Sequence, residues 1–175
     1  MSAVFTISGC SSDEAATVPE GVVAQYETLA EEVAEHGGQV TVDEWDIAYI
    51  VEHAEPWFEE RDGQQAFRPP TGSETHHIEI VPREASTGRI VPYVPITVDV
   101  VTESGDVVDS KRLNFFYSEF FHYANNFTVP DEGTYSLRVT LDPPTFLRHG
   151  DEGGAPALAT GAQTEFTGVE LTHDD

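Results

Sequence analysis

The sequence predicts an all-β protein, an antiparallel β-sandwich with one added N-terminal helix. Three observations lead there. A single amphipathic stretch lies near the N-terminus, the rest of the chain breaks into short strand-like runs, and turn residues punctuate those runs at close intervals. With 175 residues the chain has room for one domain and an appended segment, and enough interior to fold without disulfides.

The helix comes first. Thr17-Val18-Pro19-Glu20 has the form of a capping box with proline early in the first turn. Val22, Tyr26, Leu29, Ala30 and Val33 then recur at helical spacing, and Gly37-Gly38 stops the run, so a helix is expected over Pro19–His36. Trp45, Ile47, Tyr49, Val51 and His53 alternate at period two, which predicts a strand. Thr41-Val42-Asp43-Glu44 offers a competing helix start. Further strands are expected at 76–83, 90–102, 107–116, 135–141 and 165–172. Turns are expected at Thr87-Gly88, Glu103-Ser104-Gly105-Asp106, Asp131-Glu132-Gly133 and Asp142-Pro143-Pro144. The Gly/Ala-rich stretch 150–161 reads as a long loop.

Charge narrows the function. There are 32 acids against 8 bases, only one of them a lysine, for a net charge of −24. Such a surface repels phosphate, which excludes nucleic-acid partners and disfavours anionic lipid. An acid-rich, lysine-poor folded chain is expected of a protein adapted to molar salt, where screening is short-ranged. No apolar run is long enough for a transmembrane helix.

Cys10 is the only cysteine, so intramolecular disulfides and multi-cysteine metal sites are excluded. It ends Ile7-Ser8-Gly9-Cys10, the form of a lipoprotein cleavage box, and would carry the lipid if the box is real. No base occurs before Arg61, so either a leader starts further upstream or the four-residue pattern is a coincidence. The expected organisation is a signal remnant and tether over 1–17, a helical segment over 18–39 and a β domain over 40–173.

No Gly-x-Ser-x-Gly, phosphate-cradling loop or His-Glu-x-x-His is present, so the sequence offers no enzyme constellation. Of seven histidines, His77 stands out. On a strand, period two places it on one face with Glu79, about 7 Å along, a pair able to share a metal ion. His122 lies among aromatics with little charge nearby, where a buried imidazole needs a hydrogen bond or a metal. Asn126-Phe127-Thr128 fits a glycosylation sequon, and Trp45 and Trp57 read as packing residues.

Five segments in order carry a resemblance: His77-Ile78-Glu79, the run Gly88 to Ile96, Phe121 to Asn126, Gly133 to Arg138, and Asp142-Pro143-Pro144 followed by His149. Together they resemble the periplasmic iron-transport proteins of the P19 type, the high-affinity iron-transport family that includes the Tp34 lipoprotein. The resemblance implies an immunoglobulin-like sandwich, a homodimer with its metal site near the subunit interface, and binding of copper, iron or another divalent ion without turnover. It implies His77, Glu79, His122 and His149 as ligands, and an iron permease with a membrane redox partner nearby. It also implies export and strengthens the reading of Cys10 as a lipid anchor to the outer face of the membrane. One position departs. The family's methionine, seven residues before the second histidine, falls on Phe115, and Met1 is the only methionine here. Without a thioether, selectivity is expected to move from Cu(I) toward Cu(II), Zn(II) or Fe(II). The alternative is a cell-surface interaction domain whose metal site has decayed.

Overall fold

The structure, a computed structural model, describes residues 17–173. Cys10 and its cleavage box lie outside the described residues.

Helix α1 spans Glu20–His36 and is followed by eleven strands. The first sheet holds β1 (Gly37–Val42), β2 (Trp45–His53), β5 (His76–Glu84), β9 (Phe121–Phe127) and β8 (Asn114–Tyr117), in the order β1-β2-β5-β9-β8. The second holds β6 (Ile96–Thr102), β7 (Val107–Arg112), β10 (Gly133–Leu141) and β11 (Ala162–Leu171), in the order β11-β10-β6-β7. Strands β3 (Trp57–Arg61) and β4 (Gln64–Arg68) form a separate hairpin. All pairings are antiparallel, as the sequence predicts.

The core lies between the two sheets. Trp45, Ile47, Ile78, Ile80 and Phe127 of the first sheet meet Val98, Val100, Leu137, Val139 and Leu171 of the second. The hydroxyl of Tyr135 donates back to the carbonyl of Asp131 at 2.7 Å, a tyrosine-corner arrangement typical of immunoglobulin-like sandwiches. A second, smaller cluster forms on the outer face of the first sheet. There Leu29 of α1 is fully buried against Ala48, Ile50, Val81 and Phe120. Burying one such leucine stabilises by roughly 1.5–3 kcal/mol, enough to seat the helix on the sheet.

The differences from expectation have local causes. The helix begins one residue later than expected, so Pro19 is its N-cap and no side chain caps it. Gly37 and Gly38 end the helix but also open β1, where a Cβ on Gly37 would overlap the carbonyl of Tyr49. The run 90–102 becomes a strand only from Ile96, because Pro92 and Pro95 cannot donate to a ladder. The run 107–116 is two strands: the chain crosses from one sheet to the other at buried Leu113, whose amide bonds the carbonyl of Ile96 at 2.9 Å. Residues 142–161 form no strand or helix, in line with the expected long loop.

Candidate metal centre

Strand β5 is the middle strand of its sheet, and its side chains alternate between two dry faces. His76, Ile78 and Ile80 point into the sandwich, so His77, Glu79 and Val81 point outward, where α1 and the β3–β4 hairpin cover them. His122 on the adjacent β9 completes the group. The potential ligand atoms of His77, Glu79 and His122 all lie within 4.8 Å of one another, and all three residues are buried.

Glu79 Oε1 is 3.7 Å from His77 Nε2 and 3.5 Å from His122 Nε2. Neither contact is an ion pair. Burial, reinforced by Glu52, Glu32 and Glu55, pushes the Glu79 carboxyl up to about 8. Burial, reinforced by His77, brings His122 down to about 4, and burial also lowers His77 against the pull of its bond to Asn126. Three neutral groups therefore face one another at neutral pH.

The hydrogen bonds fix which atoms face inward. His77 Nδ1 donates to Asn126 Oδ1 at 2.7 Å, because Asn126 uses its Nδ2 to donate to the carbonyl of Glu55 at 2.8 Å. His122 Nδ1 donates to the carbonyl of Phe120 at 3.4 Å. Both imidazoles thus turn an Nε2 lone pair toward the Glu79 carboxyl, whose proton is the one a bound ion would replace. Glu79 Oε2 has no hydrogen-bond partner at all. An ion bound with bonds of about 2.0–2.1 Å in tetrahedral geometry spaces its ligands about 3.4 Å apart, close to the separations seen. The donor set fits a divalent ion.

The walls are aromatic. A cavity of about 560 Å3 between the β3–β4 hairpin and β8–β9 is lined by His77, His122, Trp57 and Phe116. Phe116 stacks on His122 at 5.6 Å and meets His77 edge-on at 5.9 Å. The Arg68 guanidinium lies 4.0 Å over the Trp57 ring and binds Glu74, which it holds down at about 2. Glu74 in turn accepts from Asn126 Nδ2 at 3.4 Å, so a polar chain runs from the hairpin to the back of His77.

Several sequence expectations change here. His149 does not join the three ligands within one copy of the chain; it is exposed on the loop after β10, beside a different cavity lined by Arg89, Phe146 and Leu158. Phe115, the expected substitute for the family methionine, pairs with Tyr123 and stacks on Phe121, on the face of β8 away from His122. The ring against His77 and His122 is Phe116, one residue on. Trp57 is a wall of this cavity and takes no part in the sandwich core, whereas Trp45 is fully buried there. Asn126 is fully buried with its amide committed on both sides, which closes the sequon to glycosylation. Its role behind His77 was missed, although its register opposite His77 follows once β5 and β9 are paired.

Solved structures with the same fold include a copper-bound variant of FetP from uropathogenic Escherichia coli strain F11, at 17% identity and TM-score 0.62 over 79% of this chain and 92% of that one. The as-isolated form of FetP matches at 22% identity and TM-score 0.59, over 78% and 96%. A copper-bound variant of Campylobacter jejuni P19 matches at 17% identity and TM-score 0.62, over 80% and 98%. No curated protein sequence matches. Residues 73–171, more than half of the chain and all three clustered residues with it, match the iron-transport family described as Fe2+ transport protein, and the chain belongs to that family.

Proposed function

We propose that this chain is an extracytoplasmic protein that binds iron or another divalent metal through His77, Glu79 and His122 and assists its uptake, without catalytic turnover. The observation that carries this is the orientation of the two Nε2 lone pairs toward a carboxylate whose second oxygen has no partner. A decayed site would have no reason to keep three buried polar groups facing one another, since each costs desolvation without a bound ion. Copper in the FetP and P19 structures, and the family description, support copper and iron as candidates, with zinc allowed by the same ligands.

With Phe115 at the position that the resemblance gives to the family's methionine, and Met1 the only methionine in the sequence, the donor set favours divalent ions over Cu(I). In this reading the protein works as a homodimer, and any contribution of His149 comes from the second copy. A permease and a membrane redox partner receive the ion, Cys10 carries a lipid anchor, and the acidic surface serves in molar salt. The test is thermal stability of the metal-free protein in molar NaCl, with and without Cu(II), Zn(II), Fe(II) and Mn(II). An ion at a hundred times its dissociation constant adds ~2.7 kcal/mol, a rise of several degrees. The His77→Ala/His122→Ala variant is expected to lose that rise, and no rise with any ion in the unaltered protein would contradict the reading.

A further inference from the structure

His77 offers the Nε2 lone pair to the centre in only one of its two neutral tautomers, and that tautomer is chosen from behind. Its Nδ1 faces Asn126 Oδ1 at 2.7 Å. The other tautomer would set two lone pairs against each other there and put the proton on the nitrogen that faces Glu79. Everything then depends on which way round the Asn126 amide stands, because its oxygen and nitrogen are nearly the same size.

Three groups hold that amide. The Glu55 N–H, a donor only, points at Oδ1 at 3.1 Å. The Glu55 carbonyl, an acceptor only, takes Nδ2 at 2.8 Å, and Glu74 Oε2 takes the same nitrogen at 3.4 Å. Glu74 is an acceptor only while it is ionised. Arg68 binds both its oxygens, at 2.7 and 2.5 Å, and the Thr71 N–H adds a bond at 2.7 Å. Arg68 above all holds the carboxyl down at about 2, against burial of a side chain only 7% exposed. Both ends of the β3–β4 hairpin therefore meet on one pair of residues. Glu55, ahead of β3, binds Asn126, while Arg68, at the end of β4, binds Glu74. Among the described residues the hairpin shares no ladder with either sheet, so side chains such as these seat it.

We propose that Glu74 is a positioning residue of the metal centre: through Asn126 it holds His77 in the Nδ1–H tautomer, and through Arg68 it ties that tautomer to the seating of the hairpin. Arg68 precedes residues 73–171, so a segment outside the family match acts on a residue within it. The tautomer belongs to the metal-free protein. Its effect on metal affinity rests on the proposed function.

The experiment is a long-range 1H–15N correlation spectrum of the histidine-labelled, metal-free full chain, which reports the tautomer of His77 directly. The unaltered protein is expected to show the Nδ1–H form alone. Glu74→Gln must turn an amide N–H toward either Arg68 or Asn126, and Arg68→Ala frees the carboxylate to move, so both are expected to bring in the Nε2–H form. Both are also expected to lower Cu(II) affinity about tenfold, although one removes a negative charge and the other a positive one. Glu52→Gln removes the carboxylate whose charge acts most on His77 and leaves Asn126 alone, and it is expected to keep the single tautomer. Amide dispersion in the same samples reports folding, and Arg68→Ala decides the matter if Glu74→Gln does not fold. A tautomer mixture in the unaltered protein or in Glu52→Gln, a single tautomer in both relay variants, or opposite shifts of Cu(II) affinity in those two would overturn the proposal. Failure of the proposed function reads differently: the tautomer still responds, and Cu(II) binding is indifferent to His77→Ala/His122→Ala.

Discussion

His76 and His77 are neighbours on one strand, both about 2% exposed, yet they do opposite jobs. His76 faces the sandwich and spends both ring nitrogens: Nδ1 meets Thr75 Oγ1 at 2.9 Å and Nε2 donates to the carbonyl of Thr172 at 3.1 Å. His77 faces outward and spends only Nδ1, on Asn126, leaving Nε2 toward Glu79. A buried histidine with two partners is structural, and one with a single partner and a second ligand group opposite is poised for an ion. Burial alone does not separate the two cases. The count of satisfied nitrogens does.

The largest effect that would break this comparison comes from removing ligands. His77→Ala/His122→Ala is expected to lower Cu(II) affinity at least about a hundredfold, read by calorimetric titration, because a single carboxylate is left in place of three donors. His76→Ala is expected to leave that affinity unchanged while lowering the stability of the metal-free protein by about 1–3 kcal/mol, read by urea denaturation, since the Thr172 carbonyl loses its buried donor. A metal effect from His76→Ala would erase the distinction between the two faces.

Next in size is Asn126→Ala. Removing the acceptor behind His77 frees the ring to turn or change tautomer, and a loss of about 10–100-fold in metal affinity is expected from titration of the variant. An unchanged affinity would show that packing against Trp57 and Phe116 orients His77 without help.

The pH dependence follows from Glu79. Its carboxyl, raised to about 8 by burial and then by Glu52, is protonated at neutral pH, so a binding ion must displace that proton. Apparent affinity is expected to climb about tenfold per pH unit toward 8 and to level off above it. His122 is already neutral throughout that range. In the metal-free protein the sign reverses. The raised carboxyl contributes stability that is whole below its ordinary value of 4.5 and is lost as pH rises through about 8. Titrations at pH 6, 7, 8 and 9 in the same salt check both statements, and a flat affinity would mean Glu79 is not a ligand.

The smallest expected effect sharpens the comparison at the site's wall. Phe116→Met places a thioether beside His122, and Cu(I) affinity, measured by competition with a chromogenic chelator, is expected to rise several-fold. Phe115→Met, on the opposite face of β8, is expected to change nothing.

The sandwich was legible because alternation survives wherever one face of a strand is wet or one is greasy, as in Trp45–His53 and the strands around Val98 and Leu137. The three clustered residues were legible because a His-x-Glu on one strand shares a face by geometry, and because His122 stands among aromatics in a stretch of little charge, to which the resemblance also points. The hairpin was missed although Asp62-Gly63 is a strong two-residue turn signal, with φ of 53° and 78°; its strands are short, polar and exposed, so no hydrophobic period marks them. The resemblance gives the family methionine's position to Phe115, whereas the ring that faces His122 is Phe116, because side-chain facing follows the β8–β9 pairing and that pairing is fixed only by the fold. Within one copy His149 stands apart from the other three, exposed on the loop after β10, where a long loop without period carries no register.

The most direct test of the central claim is the electron paramagnetic resonance spectrum of Cu(II) bound to the full chain. The account predicts a single bound Cu(II) coupled to the nitrogens of His77 and His122, with one coupling lost in His77→Ala, one lost in His122→Ala, and none lost in His76→Ala. A Cu(II) spectrum indifferent to His77 and His122 would contradict it.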